Sequence, residues 1–398
     1  MSRGQRLDLV GILVIGAVIA GVMLSARPIP VPRPTATVLK PLVTLTVPES
    51  EPVPDLGNLQ EDIGSVLVIS WRGAEITPGV HSLLDDGHVG GVLLFASNFS
   101  DPAALKALSD RLQALASSAC LDHPVLVMLD QEGGQVNRVQ AAFAPPSELV
   151  MGAGGAQHVR AVERTSAVGL HQLGVGLNLA PVADVRTNPG DQVIGDRSFG
   201  SSAAIVSPLV GAAVEGLHDG GVGATLKHFP GLGGAAGDPH FAIPTDPVSE
   251  EQWQRLQMPA FQAGIAAGAD AVMTTAVYVP GLGGGTTPAM FSAPVVSRLR
   301  TQLGFGGVIV TDSLSMGGVG ARYSLPEATI LALAAGNDLV LLGNGDPGYE
   351  REAMAAVTAA VQSGRLDRLK LHESAMRVNQ LRDKWGGRFR HCRALRTA

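Results

Sequence analysis

The sequence predicts a (β/α)8 barrel that forms a single catalytic domain, and three observations support this fold class. Short apolar runs alternate with longer amphipathic segments over about 330 residues, a length that fits such a barrel. There are eight runs, one for each barrel strand. Each run is continuously apolar rather than alternating, which is typical of strands buried on both faces. The runs are Ser65–Ile69, Val89–Phe95, Val125–Leu129, Gly176–Pro181, Ala224–Leu226, Ala271–Thr274, Gly307–Val310 and Asp338–Leu342.

The segments between the runs have helical periodicity and recognisable ends. Asp101 and Ser324 are candidate N-caps, and a glycine at position 174, 268, 304 or 336 ends several segments. A doubly wound open sheet is the alternative architecture for the same order of elements. The predicted helical segments are Pro102–Ser117, Gln157–Leu173, Ala203–His218, Glu250–Ala267, Ala293–Leu303, Leu325–Ala335 and a last region, Tyr349–Trp385.

The N-terminus differs from the barrel in composition. Arg3 and Arg6 precede an uncharged, mostly apolar run of eighteen residues from Leu9 to Ala26. This length is at the lower limit for a membrane-spanning helix and slightly exceeds a signal-peptide core. Because the basic residues lie on the N-terminal side, the positive-inside rule places the rest of the chain outside the cytoplasm. We expect residues 1–26 to be a membrane anchor or a cleaved signal peptide, with the anchor favoured.

A proline-rich linker follows the apolar run. Residues 27–56 contain eight prolines, a composition typical of a semi-rigid, extended spacer. The expected boundaries are therefore 1–26 for the anchor or signal peptide, 27–56 for the linker, 57–390 for the barrel and 391–398 for a basic tail. The predicted location is extracytoplasmic, either anchored to the membrane or secreted, and we expect a monomer.

Composition excludes several classes of partner. The formal net charge is −6, and apart from the short C-terminal tail no basic patch of nucleic-acid-binding type occurs. The two cysteines, Cys120 and Cys392, are too few for a metal cluster or a disulfide scaffold, and either one disulfide or two free thiols fits the sequence. No metal-ligand spacing and no nucleotide-binding glycine fingerprint is present, so we expect no metal and no cofactor.

Charged residues cluster where the predicted strands end. Because active sites of (β/α)8 barrels lie at the carboxyl ends of the strands, this clustering predicts one shared pocket. The strand bodies are almost free of charge. The residues at or after strand ends are Asp130 and Arg138 for the third strand, Asp184 and Arg197 for the fourth, Lys227, His228, Asp238 and His240 for the fifth, and Asp312 for the seventh.

These motifs, in this order and spacing, resemble glycoside hydrolase family 3, in particular its single-domain bacterial β-N-acetylglucosaminidases. The resemblance covers roughly residues 59–387. It rests on the segments DQEGG from Asp130 with Arg138, APVADV from Ala180, RSF from Arg197, KHFPG from Lys227, DPH from Asp238 and TDSLSM from Thr311.

The resemblance implies a role for each matching position. Asp312 would be the nucleophile, and His240, paired with Asp238, would be the acid/base. Sugar hydroxyls would be held by Asp130, Arg138, Arg197, Lys227 and His228. Asp184 is expected to be structural, and Glu132 to form an internal salt bridge. The implied activity is a retaining, exo-acting β-N-acetylglucosaminidase that removes terminal GlcNAc from peptidoglycan fragments or related glycosides.

The residue types suit this chemistry independently of the resemblance. A retaining glycosidase needs an anionic nucleophile and a proton donor at the leaving oxygen. A histidine titrates near neutrality, so it can donate a proton in the first step and accept one in the second. An imidazole in place of the usual second carboxylate also admits phosphate as the incoming nucleophile. A phosphorylase on the same scaffold therefore remains an alternative, as does a β-glucosidase.

Three positions depart from the family's pattern. The family commonly has histidine where Leu232 stands, arginine where Gln135 stands and histidine near Ala276. All three changes remove basic or imidazole groups, which raises the further alternative of a catalytically silent wall-binding protein. The glycine-rich loop around Leu232 is the expected place for the analogy to fail.

Overall fold

Eight parallel strands form the central sheet of the computed structural model, which describes residues 56–191, 193–343, 345–387 and 389. Neighbouring strands pair in chain order, and the last pairs with the first through Leu67 and Val340. A parallel bridge between Val310 and Leu339 joins the remaining two edges, so the sheet closes. This closure confirms the barrel and contradicts the open-sheet alternative. The barrel strands are β1 (Leu67–Ile69), β2 (Gly91–Leu93), β3 (Leu126–Leu129), β6 (Leu177–Asn178), β7 (Gly223–Phe229), β8 (Ala271–Thr274), β9 (Val308–Thr311) and β10 (Val340–Leu341); β4 (Gln131–Gly133) and β5 (Val136–Asn137) form a separate hairpin.

Helices cover the outside of the barrel and mostly match the predicted segments. The Asp101 carboxylate accepts from the Ala104 amide at 2.9 Å, and Ser324 caps its helix in the same way. Two predicted segments are each divided into two helices, one of them at Gln257. The helices are α1 (Leu59–Ser65), α2 (Pro78–Asp85), α3 (Pro102–Ser118), α4 (Glu148–Gly152), α5 (Ala156–Gln172), α6 (Ala203–Asp219), α7 (Glu250–Leu256), α8 (Met258–Ala266), α9 (Ala293–Thr301), α10 (Gly317–Gly320), α11 (Leu325–Ala335), α12 (Pro347–Gln362) and α13 (Arg368–Trp385).

The inside of the barrel is filled by aliphatic side chains, as the low aromatic content of 4% requires. Alternate residues of most strands form one buried cluster, in which Met128 and Met273 are the longest strand side chains, whereas β7 contributes none to it. The cluster continues into Val378 and Leu381 of α13, which lies across the amino-terminal ends of the strands. This helix closes the lower end of the barrel, so the carboxyl-terminal end is left for a binding site.

Several expectations concern residues outside those that the structure describes. The predicted anchor or signal peptide (1–26), nearly all of the linker (27–56) and the basic tail (391–398) are among them. Within the described residues, no helix is both long and apolar enough to span a bilayer. Cys120 is disulfide-bonded, whereas Cys392 lies outside the described residues.

Candidate active site

A cavity of about 160 Å³ opens at the carboxyl-terminal end of the barrel. Strand ends, the β4–β5 hairpin and the loop after β7 all contribute to its wall. All the predicted catalytic and sugar-binding residues except Asp238 line the cavity, and Glu132 lines it as well. The charged or titratable residues that line the cavity are Asp130, Glu132, Arg138, Arg197, Lys227, His228, His240 and Asp312.

An irregularity in β7 brings Lys227 and His228 to the same cavity. Successive side chains of a regular strand point to opposite faces. The pairing of β7 with β8 shifts between Leu226 and Phe229, where β7 has one residue more than its partner. Such bulges re-aim side chains, and here both of these neighbours line the cavity. The sequence predicted a strand that ends at Leu226, whereas β7 continues to Phe229.

Lys227 is a buried cation between two carboxylates. Its Nζ donates to Asp130 Oδ1 at 2.8 Å and lies 2.5 Å from Glu132 Oε1, with only 1% of the residue exposed. Burial alone would lower the pKa of Lys227, but the two carboxylates outweigh burial and raise it. Burial likewise opposes ionisation of Asp130, and Lys227 and Arg138 overcome this effect and lower the pKa of Asp130. Lys227 and its two carboxylate partners, Asp130 and Glu132, are therefore charged at neutral pH.

Arg197 anchors the other side of Glu132. Its Nε and Nη2 donate to the two oxygens of Glu132 at 2.7 and 2.8 Å, a bidentate pair. Glu132 is itself buried; burial would raise its pKa, but Lys227 and Arg197 hold that pKa well below the usual range. Glu132 therefore forms the internal salt bridge that the sequence predicted, and it holds two cations in the cavity wall.

Asp184 is fully buried and organises the loop after β7. Its Oδ2 accepts from His228 Nδ1 at 2.6 Å, and its Oδ1 accepts from the Leu232 amide at 2.6 Å. His228 Nε2 lies 3.3 Å from Arg197 Nη2, which can only donate. The ring therefore carries its proton on Nδ1 and presents Nε2 as an acceptor. Asp184 acts through His228, in agreement with the structural role expected for it.

Asp312 follows β9 and is held at three points. Its amide donates to Thr274 O at 2.7 Å, which fixes the backbone against β8. The Ser313 amide donates to Oδ1 at 2.8 Å, and the Thr275 hydroxyl donates to Oδ2 at 2.8 Å. The carboxylate is half-buried in the cavity wall. Charge patterns could not reveal Thr275, because it is an uncharged residue at a strand end.

The loop that carries Asp238 and His240 lies at the rim of the cavity. Asp238 Oδ1 accepts from His240 Nδ1 at 2.7 Å, which leaves Nε2 free to exchange a proton. The His240 side chain lines the cavity and is still 66% exposed. Asp238 thus orients the imidazole without itself facing the cavity.

Two glycines of α10 support this rim loop. Gly318 donates its amide to Pro239 O at 3.1 Å. A Cβ atom at Gly317 would lie only 2.4 Å from His240 O, so a larger residue cannot occupy this position without a shift of the loop. Because α10 begins five residues after Asp312, this contact ties the position of the imidazole to that of the carboxylate.

Arg138 is the most weakly neutralised cation of the site. Its Nη2 lies 3.5 Å from Asp130 Oδ2, and its guanidinium carbon lies 5.8 Å from the centre of the Phe95 ring. Its buried Nε has no hydrogen-bond partner within the described residues. Gln131 accepts from the Arg138 amide at 2.9 Å and so fixes the backbone here. Because the side chain is 30% exposed and its ion pair is long, the guanidinium still has donors available for a ligand.

The three departures from the family pattern lie in different surroundings. Leu232 lines the cavity as an apolar residue, and its amide supports Asp184. Gln135 is exposed and donates to Asp196 Oδ1 at 3.1 Å, outside the cavity wall. Ala276 is fully buried behind the site. Only the change at Leu232 alters the cavity wall itself. No cluster of three or more potential metal ligands occurs among the residues that the structure describes.

Comparisons with known proteins agree with this geometry. The family model "Glycosyl hydrolase family 3 N terminal domain" matches residues 58–381. A β-hexosaminidase of Methylobacillus flagellatus is 36% identical over 312 residues, which cover 76% of this chain and 87% of the relative.

Solved structures show the same relationship. A family 3 β-N-acetylglucosaminidase from a Paenibacillus species superposes with a TM-score of 0.79 at 36% identity; the match covers 82% of this chain and 62% of that one. A β-N-acetylhexosaminidase from Beutenbergia cavernae gives a TM-score of 0.71 at 32% identity, covering 81% of this chain and 97% of that one. The chain therefore belongs to glycosyl hydrolase family 3, and it is a glycoside hydrolase.

Proposed function

We propose that this protein is a retaining β-N-acetylglucosaminidase that removes terminal GlcNAc residues. The observation that carries the proposal is that Asp312 and His240 line one small cavity, each with its reactive group oriented by a hydrogen bond from or to a neighbour. The names of its relatives support the sugar: one is a β-hexosaminidase, and one solved structure is a β-N-acetylglucosaminidase.

In the first step, a carboxylate oxygen of Asp312 attacks the anomeric carbon while the bond to the leaving oxygen breaks. The imidazolium form of His240, whose positive charge Asp238 stabilises, donates its Nε2 proton to that oxygen and becomes neutral. In the second step, a water molecule attacks the anomeric carbon and gives its proton to His240, and the bond to Asp312 breaks. The sugar is released with its anomeric configuration retained.

The cation-rich part of the cavity wall would bind the sugar ring. The Arg138 side chain is 30% exposed and paired with Asp130 only at 3.5 Å, so its guanidinium can donate to adjacent hydroxyls. Asp130 accepts from Lys227 and is half-buried, which leaves part of its carboxylate for a sugar hydroxyl. The ion pairs behind these groups hold them in place before the substrate arrives, which reduces the cost of ordering them on binding.

Hydrolysis of 4-nitrophenyl glycosides of GlcNAc, GalNAc, glucose and xylose tests the reaction and the sugar together. We expect the GlcNAc glycoside to be the best substrate, and Asp312→Ala to reduce kcat/KM by about 10³-fold or more. Asp110→Ala, on the outer surface of α3, is the matched control and should leave kcat/KM unchanged. Full activity of Asp312→Ala would exclude the proposed nucleophile.

The configuration of the product and the effect of phosphate test the mechanism. Proton NMR of the first product formed should show the β-anomer, since two displacements at the anomeric carbon restore its configuration. An initial α-anomer would contradict retention. Turnover that requires phosphate and yields a sugar 1-phosphate would instead establish a phosphorylase.

We also propose that the protein acts outside the cytoplasmic membrane, as a monomer, on peptidoglycan fragments. The disulfide at Cys120 supports this location, because disulfides persist in oxidising compartments. The basic and apolar pattern of residues 3–26 supports export. Cell fractionation, together with release of GlcNAc from purified fragments that carry it terminally, checks these points; a cytoplasmic protein inactive on such fragments would contradict them.

A further inference from the structure

The environment of Thr275 suggests a role beyond the fold. The side chain is fully buried at the end of β8, and its hydroxyl donates to Asp312 Oδ2 at 2.8 Å. The residue is fixed from both sides, since its amide donates to Phe229 O at 3.1 Å and its carbonyl accepts from the Met290 amide at 3.2 Å. The hydroxyl is therefore presented to the carboxylate by a rigid backbone.

Thr274, the last residue of β8, precedes Thr275 and offers a contrast. It is also fully buried, but its hydroxyl points away from the cavity and donates to Asn337 Oδ1 at 2.7 Å. Thr274 thus satisfies a buried amide of the core, whereas Thr275 contacts the reacting group. Alternation along β8 separates a structural threonine from one that faces the site.

Two donors, one on each oxygen, determine the orientation of the Asp312 carboxylate. The Ser313 amide holds Oδ1 and the Thr275 hydroxyl holds Oδ2. Without the hydroxyl, the carboxylate could rotate about its Cβ–Cγ bond, and only the adjacent amide would oppose that rotation. Reaction rates depend steeply on such orientation, because attack requires aligned orbitals at close approach.

We propose that Thr275 is a positioning residue for the nucleophile: its hydroxyl fixes the plane of the Asp312 carboxylate before attack and stabilises the carboxylate as it leaves in the second step. This inference rests on the proposed role of Asp312. Thr275 supports Asp312 from behind, so its contribution should appear in kcat rather than in KM.

The test compares Thr275→Val, Thr275→Ser and Thr329→Val with the wild-type chain. Valine has nearly the shape of threonine but no donor, and serine restores the donor. We expect Thr275→Val to lower kcat for 4-nitrophenyl N-acetyl-β-glucosaminide by about 10- to 100-fold, the range for a hydrogen bond to a charged group, with KM within about twofold. Thr275→Ser should recover most of the loss. Thr329→Val removes a buried hydroxyl of α11 that donates to Leu325 O at 2.8 Å, and it should keep kcat near the wild-type value even if its melting temperature falls.

The outcomes separate this inference from the proposed function. If Thr275→Val retains kcat within twofold while Asp312→Ala is inactive, the positioning role is wrong and the nucleophile stands. If Thr275→Ser is as impaired as Thr275→Val and both keep the wild-type melting temperature, the hydroxyl is not the cause and the inference fails. If Asp312→Ala is active, the proposed function itself is wrong.

Discussion

Carboxylates at the lower, amino-terminal end of the barrel accept hydrogen bonds from several protein groups at once. At the upper, carboxyl-terminal end, where the cavity lies, some charged groups keep part of their hydrogen-bonding capacity. Asp270, before β8, accepts from His218, Lys384 and Trp385 at 2.7–2.8 Å and from a backbone amide at 3.0 Å. Asp338, before β10, is bonded by Arg300, by Arg377 at 3.1 Å and by Ser374 at 2.9 Å.

The upper end also carries charged residues, but several of them have fewer partners. Arg138 has a buried Nε without a partner among the described residues, and His240 is largely exposed. Asp312 has one donor on each oxygen and still lines a cavity. Some charged residues at the upper end therefore keep unused hydrogen-bonding capacity, unlike Asp270 and Asp338. A fully bonded carboxylate stabilises the fold, and an incompletely bonded one can bind a ligand.

Lys227→Met should have the largest effect on both stability and activity. It leaves Asp130 and Glu132 with fewer counter-charges in a buried place, and breaking such a pair costs about 3–5 kcal/mol. Chemical denaturation should show that the free energy of unfolding falls by this amount, and kcat/KM should fall as well. Lys384→Met at the lower end is the matched control. Because the Lys384 side chain is 56% exposed, its loss should lower the free energy of unfolding by under about 1 kcal/mol. Equal losses in the two variants would contradict the comparison.

Asp270→Asn should have an intermediate effect that is confined to stability. The amide removes the charge that holds His218 and Lys384, so we expect a loss of about 2 kcal/mol in the free energy of unfolding. The value of kcat/KM at 25 °C should stay within twofold of the wild-type value, because Asp270 lies at the opposite end from the cavity. A tenfold loss of kcat/KM without unfolding would show that the two ends are not independent.

The same carboxylate predicts a dependence of stability on pH. Burial opposes ionisation of Asp270, but its bonds to His218, Lys384 and Trp385 outweigh burial and lower its pKa. The folded state therefore binds this proton less readily than the unfolded state, whose aspartates titrate near about 3.9. The stabilisation is present above that pH and is lost as the pH falls toward the lower pKa of the folded state. Between pH 6 and pH 3, the free energy of unfolding measured by chemical denaturation should consequently fall more steeply for the wild type than for Asp270→Asn.

Gly317→Ala should have the smallest effect, and it should act on activity alone. The added Cβ would lie 2.4 Å from His240 O, so the rim loop must move and carry the imidazole with it. We expect kcat to fall about tenfold because the proton donor is misplaced. Gly320→Ala in the same helix is the control, since a Cβ there meets nothing within 4 Å. Unchanged kcat in Gly317→Ala would indicate that the loop is not held by this contact.

The strands could be predicted from the sequence because their apolar runs are continuous, and all eight predicted runs overlap barrel strands. The bulge in β7 was missed, since one extra residue in a pairing leaves no mark in an apolar run. Most charged cavity residues were predicted, because charge at strand ends and a family resemblance both identify them. Thr275 was missed for the opposite reason: a neutral hydroxyl at a strand end gives no signal. The bond from Leu232 to Asp184 involves a backbone amide, so the side chain at that position could not reveal it.

The packed interior of the barrel has a kinetic consequence. Because aliphatic side chains fill the barrel, the leaving group and the incoming water must pass through the same mouth of the cavity, beside His240. Under the proposed mechanism the first product departs before the acceptor enters, which is ping-pong kinetics. Small alcohols enter by the same route as water and should intercept the glycosyl-enzyme. Transglycosylation products should therefore accumulate as the methanol concentration rises.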